Sequence, residues 1–379
     1  MKILFTGGGS AGHLTPIIAI VREIRRIYQK PNLEFYFIGP RDELGAVLLS
    51  QEGIKVKQIL SGKIRRYFTW QAAFQNILDV LFKIPIGILQ SFFYIFFLNP
   101  DLIFSKGGYG SIPAVFAGRI LFVPIFLHES DAVPGAANRF LSGFTSEIFT
   151  SFPKTQYFPS KKMILVGNPI RREFLGGSVE EAMRFFKLTS QKPVLLVLGG
   201  SQGAQRINDK ILEVLPQLLE DFEIIHQCGE KNYSQVKAEV KIIISGEPEK
   251  SYHLFPFLKE LELRKAYAAA DLIVSRAGSS AIFEIAALGK PSILIPLPES
   301  AQNHQFKNAY EYSESGACLV FEEANFTAHF FLAKLKYLFS HTRAATDELN
   351  FMAQKAREFS KPEAGRIIAG YIVNYLTTK

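Results

Sequence analysis

Cysteine is nearly missing from this chain: its 379 residues include two, Cys228 and Cys318, far apart and in no metal-ligand spacing. That argues against a disulfide framework and against a zinc site, and a reducing cytoplasm fits best. There is also no Asp-x-Asp pair and no His or Cys cluster, so a metal-held diphosphate has no obvious protein ligands. No bound metal or cofactor is expected. No Arg- and Lys-rich run with interleaved aromatics stands out and no nucleic-acid module is recognisable, which places nucleic acid last among anionic partners. The opening Met1-Lys2-Ile3-Leu4-Phe5 is too short an apolar run for a signal peptide and reads as a first strand.

What is present points to two α/β domains. The length suits two cores with a cleft between them, and 48% hydrophobic against 21% charged residues supplies buried parallel sheets. Lys and Arg exceed Asp and Glu by 43 to 35, which favours an anionic partner without choosing a phosphorylated ligand over an acidic membrane surface. Short apolar runs alternate with helical stretches: strands Ile3 to Thr6, Glu34 to Ile38, Leu102 to Ser105, Pro124 to Leu127 and Met163 to Val166, with a helix from about Thr15 to Tyr28. The pattern restarts after Pro193, with strands Val194 to Leu198, Phe222 to Gln227, Leu272 to Ser275 and Ser292 to Ile295, and a helix from Ala204. Two doubly wound, Rossmann-like parallel sheets follow. The linker is placed near Gly167, giving domains 1–167 and 168–357, with a last helix, 358–379, crossing back onto the first.

One segment departs from the soluble pattern. Ile77 to Leu98 is rich in Ile, Leu and Phe but carries Asp79, Lys83, Pro85 and Gln90, and its uninterrupted part is too short to span a bilayer. It reads either as a buried helix of the first domain or as a surface patch that dips into lipid. Lys63, Arg65, Arg66 and Lys83 favour the second, because basic residues beside apolar surface attract anionic head groups.

Chemistry concentrates in glycine-rich loops between strand and helix. The first, Gly7-Gly8-Gly9-Ser10-Ala11-Gly12-His13, has His13-Leu14 where a P-loop needs Lys and Ser or Thr, so a nucleoside triphosphatase is unsupported. Nor does an acidic residue end the second strand, as a dinucleotide site requires; that end reads Ile38-Gly39-Pro40-Arg41. What remains is a loop whose amides and helix dipole face an anion. Similar loops recur at Gly107-Gly108-Tyr109-Gly110, at Gly199-Gly200-Ser201-Gln202-Gly203 and at Arg276-Ala277-Gly278-Ser279-Ser280. One such loop is weak evidence, since tight turns need glycine for steric reasons alone; four at strand ends are not. Preorganised donors of this kind meet the charge of a departing nucleoside diphosphate without a cation, which suits glycosyl transfer.

Several side chains stand where they would act. His13 is either a base for an attacking hydroxyl or a dock for the first helix. His128, at a strand end, is either catalytic or a structural hydrogen-bonder. Glu284 either bridges two ribose hydroxyls or complements its helix dipole. Arg171 or Arg172 would grip a phosphate bidentately, and Gln302, Asn303, His304 and Gln305 form a polar cluster suited to sugar hydroxyls.

The ordered set Gly7 to His13 with Leu14-Thr15-Pro16, the loop at Gly107, His128-Glu129, Gly167-Asn168-Pro169-Ile170-Arg171, Gly199 to Ala204, and Ser275 through Glu284 closely resembles the MurG family. These are the UDP-N-acetylglucosamine:undecaprenyl-pyrophosphoryl-MurNAc-pentapeptide GlcNAc transferases of glycosyltransferase family 28. The resemblance runs from Met1 to about Glu323. It implies a GT-B fold, an inverting mechanism, no essential bound metal, and the conversion of lipid I to lipid II in peptidoglycan synthesis.

By that resemblance Arg171 and Ser201, flanked by Gln202 and Gly203, would hold the donor diphosphate with Ser279 and Ser280 beside it, and Glu284 the ribose. Backbone near Phe257 and Leu258 would read uracil, and His304 and Gln305 the GlcNAc hydroxyls. Gly7, Gly8, Gly9, Ser10 and Gly12, with Gly107, Gly108 and Tyr109, would hold the acceptor's diphosphate, Asn138 would also bind substrate, and His13, His128 and Asp131 are the catalytic candidates. Asp131 stands where many members have Asn. The implied partners are UDP-GlcNAc, an undecaprenyl-linked muramoyl-pentapeptide acceptor, inner-leaflet anionic lipid and other cell-wall synthesis enzymes, with the protein peripheral on the cytoplasmic face of the plasma membrane. The rivals are another lipid glycosyltransferase of the same fold, a UDP-GlcNAc 2-epimerase, and a non-catalytic UDP-sugar-binding scaffold.

Overall fold

The structure is a computed structural model, and it describes residues 1–8, 11–62, 69–153, 157–189, 191–200, 203–244 and 250–378. The chain divides into two compact units. The first is Met1–Arg171 with Lys361–Lys379; the second is Arg172–Ser360.

The first unit holds seven parallel strands: β1 (Lys2–Thr6), β2 (Glu34–Pro40), β3 (Lys55–Ile59), β4 (Leu102–Ser105), β5 (Ile125–Glu129), β6 (Glu147–Thr150) and β7 (Met163–Leu165). Their order in space is β3-β2-β1-β4-β5-β6-β7. The central strands are apolar on both faces because helices cover both sides, and Leu4, Phe5, Ile103 and Phe126 are fully buried. The order reverses between β1 and β4, so their carboxyl ends open the crevice where ligands bind in such sheets.

The last helix, Ala364–Thr377, returns to the first unit. It buries Ile368, Ala369 and Ile372 in the core formed by the helix Ala11–Ile27 and the strands beneath it. Close approach is possible because Gly365 lies against Ala19 and Pro169. The preceding helix, Arg343–Phe359, stays in the second unit.

The second unit repeats the design with six parallel strands: β8 (Val194–Leu198), β9 (Glu223–Gln227), β10 (Tyr252–Phe255), β11 (Leu272–Ser275), β12 (Ser292–Leu294) and β13 (Cys318–Val320), ordered β10-β9-β8-β11-β12-β13. Here the switch point lies between β8 and β11.

The apolar segment is not a buried helix. Helical turns run from Trp70–Leu78 through a π-helical turn, Asp79–Lys83, into Ile84–Leu98. The stretch Phe74–Leu98 is long and apolar enough to cross a membrane by length and composition, but only 17% of its most apolar window is buried. Its polarity is inverted. Asp79 and Ser91 are buried, whereas Leu81, Phe82 and Phe97 are 61%, 57% and 79% exposed. Asp79 is neutralised by Lys83 at 2.5 Å. Gly87 lets the helix close onto the chain after β3, where a Cβ would fall 1.9 Å from the Leu60 carbonyl oxygen, and Gln90 accepts the Leu60 amide there at 2.8 Å. Lys63, Arg65 and Arg66 lie outside the described residues.

Candidate active site

In the first unit the turns after β1 and β4 are bonded to each other: the Gly8 amide donates to the Gly107 carbonyl at 2.8 Å. Gly107 has a φ of +81°, and a Cβ there would fall 1.9 Å from Asn138 Oδ1. Only glycine fits. The Gly107 amide donates to Ser105 Oγ (3.2 Å) and the Gly108 amide to Asn138 Oδ1 (3.3 Å). These amides hold the turns together, and the helix Ala11–Ile27 begins directly after the first of them, its early N–H groups having no acceptor further back in the helix. Gly12 and His13 lie in its first turn, Gly7 directly follows β1, and Tyr109 opens a short 3₁₀ turn, Tyr109–Ser111. Gly9 and Ser10 lie outside the described residues.

His13 is oriented by the neighbouring turn. Its Nδ1 is 3.3 Å from the Lys106 carbonyl oxygen. A carbonyl only accepts, so Nδ1 carries the proton in the neutral ring and Nε2 keeps the lone pair. Nε2 lies near both turns, 3.2 Å from where a Gly8 Cβ would stand and 3.3 Å from that of Gly108. The ring thus stands between the two glycine turns.

Beneath them lies a buried polar cluster. Lys106 and Glu129, at the ends of β4 and β5, are 1% and 3% exposed. The Lys106 ammonium donates to Ser130 Oγ, and Ser130 donates to Asn168 Oδ1 at 3.1 Å. Glu129 accepts on both oxygens, from Asn138 Nδ2 at 2.7 Å and from the Asp131 amide at 2.9 Å. Burial pushes the Glu129 carboxyl up to about 7, with Asp131 adding to the rise, and pushes the Lys106 ammonium down to about 8 against the opposing pull of both carboxylates.

His128, a catalytic candidate from the sequence, is enclosed by the fold. It is wholly buried, its Nε2 is 3.1 Å from the Gly167 carbonyl oxygen, and Ser151 Oγ lies 3.4 Å away. Burial, reinforced by the Lys106 charge, holds its pKa well below the usual histidine range. Asp131, by contrast, is half-buried at the rim of the cluster.

In the second unit Gly203 has a φ of +79°, and a Cβ there would lie 2.5 Å from both Asn232 Nδ2 and the Cys228 carbonyl oxygen. Gln227 ties two expected donor-side segments together: its Nε2 donates to the Gly200 carbonyl at 3.2 Å and its Oε1 accepts the Leu258 amide at 3.0 Å. The Leu258 N–H is therefore already engaged, while the Phe257 ring is exposed. Ser201 and Gln202 lie outside the described residues.

Glu284 is buried in the second turn of the helix Ser279–Leu288, too far along for the helix-dipole role. Tyr267 Oη donates to its Oε2 at 2.9 Å and fixes the carboxylate. Gly278 occupies the N-cap of that helix, which places Ser279 and Ser280 in its first turn. The Arg276 guanidinium is committed to Glu323 and to the Ile295 carbonyl. His304 opens the helix His304–Ser313, and Gln305 Oε1 accepts the Leu297 amide at 3.0 Å, pinning the loop before it. Arg171 is the last residue of the first unit, and the adjoining Arg172 is exposed.

Lys106, Ser130, Gln227 and Tyr267 were not singled out from the sequence, and Glu129 and Asn168 were named without a task. Those two carried a signal, as members of the His128-Glu129 and Gly167-Asn168-Pro169 motifs. Among the described residues no group of three or more His, Cys, Asp or Glu is placed to hold a metal ion.

Two all-parallel sheets with glycine turns at their carboxyl ends define the doubly wound class of ligand-binding α/β proteins. Comparison narrows this. The glycosyltransferase family 28 N-terminal domain matches residues 3–150 and the family 28 C-terminal domain matches residues 194–363. A Bacillus cereus relative, UDP-N-acetylglucosamine–N-acetylmuramyl-(pentapeptide) pyrophosphoryl-undecaprenol N-acetylglucosamine transferase 2, is 36% identical over 373 residues, covering 98% of this chain and 99% of its own. The chain belongs to glycosyltransferase family 28, alongside the transferases of that name. The fold is also that of the crystal structure of Acinetobacter baumannii MurG, with a TM-score of 0.72 at 24% identity over 98% of this chain and 99% of that one. A UDP-GlcNAc 2-epimerase from Neisseria meningitidis shares the architecture at a TM-score of 0.64 and 15% identity, covering 99% and 100% of the two chains.

Proposed function

We propose that this protein transfers N-acetylglucosamine from UDP-GlcNAc to the 4-hydroxyl of the muramoyl residue of a pentapeptide-bearing, undecaprenyl-pyrophosphoryl acceptor. The observation that carries the reading is the end-to-end similarity to transferases named for that reaction. On this reading the first unit serves the acceptor and the second the donor. The opening turn of the helix Ala11–Ile27, set by the Gly8 and Gly107 turns, meets the acceptor's diphosphate. Ser279 and Ser280 meet the donor diphosphate at a second helix start, the fixed Glu284 carboxylate takes the ribose hydroxyls, and the turn carrying His304 and Gln305 faces the sugar.

His13 Nε2 takes the proton of the acceptor hydroxyl as its oxygen attacks the anomeric carbon from the face opposite UDP. The bond to the diphosphate breaks, UDP leaves with the electron pair, and a β-1,4 linkage forms. The leaving charge is met by helix-start amides rather than by a cation.

The inverted helix supports a lipid-linked acceptor over a water-soluble one. Its outward Leu81, Phe82, Leu89 and Phe97 form an apolar face that would rest in the inner leaflet, where a polyprenyl chain is anchored, making the protein peripheral on the cytoplasmic side. An epimerase acting on a soluble nucleotide sugar has no use for such a face.

The test is UDP release from UDP-GlcNAc, measured with and without detergent-dispersed lipid-linked acceptor. Release that depends on the acceptor is expected. Equal release in its absence would overturn the reading.

A further inference from the structure

The turn that leads into His304 and Gln305 is strained. Gln302 and Asn303 have φ values of +57° and +55°, the one consecutive pair of non-glycine residues with positive φ among the described residues. Asparagine visits this left-handed region readily and glutamine does not, so the turn persists only where its surroundings hold it. Part of that hold is local. Gln305 Oε1 accepts the Leu297 amide at 3.0 Å, the Gln305 amide donates to Ser300 Oγ at 3.3 Å, and the Asn303 amide donates to the Ser300 carbonyl at 3.0 Å.

The rest comes from an ionic chain within the same unit. Arg206 stands in the first turn of the helix Gln205–Glu213, directly after the glycine turn that follows β8. Its Nη2 donates to both oxygens of Glu299, at 2.7 and 2.8 Å, just before the strained turn. Its Nη1 donates to Glu323 Oε2 at 2.5 Å. The other Glu323 oxygen pairs with the Arg276 guanidinium, whose Nη1 donates to the Ile295 carbonyl at 3.1 Å, at the base of the same loop. Two arginines and two glutamates thus tie together the segments after β8, β11, β12 and β13. An isolated exposed ion pair contributes little, but a network in which one carboxylate bridges two guanidiniums holds its geometry.

We propose that Arg206 and Glu299, anchored by Glu323, are positioning residues that hold the turn at 300–305 in its left-handed form and so set the grip on the sugar of UDP-GlcNAc rather than on its nucleotide. This deepens the donor-side reading above and rests on it. On that reading His304 and Gln305 meet the sugar, while Ser279, Ser280 and Glu284 meet the nucleotide from a separate helix, Ser279–Leu288. A turn released from Glu299 relaxes toward ordinary backbone angles and carries the sugar-side groups with it.

The test measures calorimetric binding of UDP and of UDP-GlcNAc to the full chain and to Arg206→Gln, Glu299→Gln, the double variant and Arg206→Lys. The two side chains are 54% and 63% exposed, so each variant should keep its melting temperature within about a degree or two. UDP-GlcNAc binding should weaken about fivefold in each single glutamine variant while UDP binding stays within about twofold. The double variant should lose no more than Arg206→Gln, and Arg206→Lys should lose less. Undiminished UDP-GlcNAc binding, a parallel loss of UDP, or losses that multiply in the double variant would overturn the proposal. A merely structural role would produce the parallel loss. A parent that binds UDP but not UDP-GlcNAc would overturn the donor reading instead, which separates the two failures.

Discussion

The imidazole of His13 is held against the backbone of Lys106, with Nδ1 3.3 Å from its carbonyl oxygen. This contact joins the first turn of the helix Ala11–Ile27 to the turn after β4 and makes Nδ1 the protonated nitrogen of the neutral ring. His13→Gln keeps the size but not the basicity. It should lower kcat by on the order of 10² to 10⁴ with little change in donor KM, measured as steady-state label transfer. An unchanged kcat would remove His13 from the reaction.

Gly107→Ala forces a side chain into a left-handed backbone position and into Asn138. The strain is about 1 kcal/mol or more before the clash is counted. Acceptor KM should rise steeply, while calorimetric UDP binding, proposed for the second unit, stays near the parent value. Parallel loss of both would contradict the division of labour between the units.

Tyr267→Phe removes the Tyr267 Oη hydrogen bond to Glu284 Oε2, and Glu284→Gln removes the charge. The first should weaken UDP-GlcNAc binding by roughly 1 kcal/mol, about fivefold, and the second by more. Both effects should fall on donor KM rather than acceptor KM in initial-rate measurements.

Phe97→Ser and Leu81→Ser act on exposed side chains and so should leave the melting temperature within a degree or two. Each removes about 2 kcal/mol of apolar transfer if the helix rests in lipid. Co-sedimentation with anionic vesicles should fall by about tenfold or more per substitution. Undiminished sedimentation would take the helix off the membrane.

His226 is buried between Tyr252 Oη at 2.7 Å and Asn208 Oδ1 at 3.0 Å, and burial pushes its pKa down to about 3. Between pH 6.5 and 3 the unfolded chain therefore binds a proton that the folded chain does not. The stability is fully present above pH 6.5 and is lost as pH falls, at up to roughly 1.4 kcal/mol per unit. Urea unfolding of His226→Gln at pH 7.5 and 5.5 should show a smaller acid loss than the parent; an equal loss would assign the effect to other groups such as His128.

The central strands were legible because they are apolar on both faces; Leu102–Ser105, Val194–Leu198 and Leu272–Ser275 fall where the apolar runs do. The strand Lys55–Ile59 was missed. It lies at the sheet edge, with Lys55, Gln58 and Lys57 interrupting any apolar run, and an exposed edge demands no apolar pattern. Cys318–Val320, at the edge of the other sheet, is only three residues long.

The glycine turns were legible, because their steric requirement is written in the residue type. Their use of amides was not. The amides of Gly8, Gly107 and Gly108 turn inward to Gly107, Ser105 and Asn138, and no local pattern distinguishes that from amides turned toward a ligand. Lys106 was illegible for a different reason: lysine is so seldom buried that a loop lysine reads as solvated. The apolar helix was ambiguous because a buried helix and an exposed apolar one share a composition; the exposure of Leu81, Phe82 and Phe97, with Asp79 and Ser91 buried, rules out the buried helix.

The most direct measurement follows labelled GlcNAc from UDP-GlcNAc in a mixture containing vesicles loaded with the undecaprenyl-linked muramoyl-pentapeptide. Transfer predicts label in the organic phase, on a lipid disaccharide, in amounts equal to the UDP released. Label that stays in water, as unchanged nucleotide sugar or as UDP-ManNAc, would contradict it.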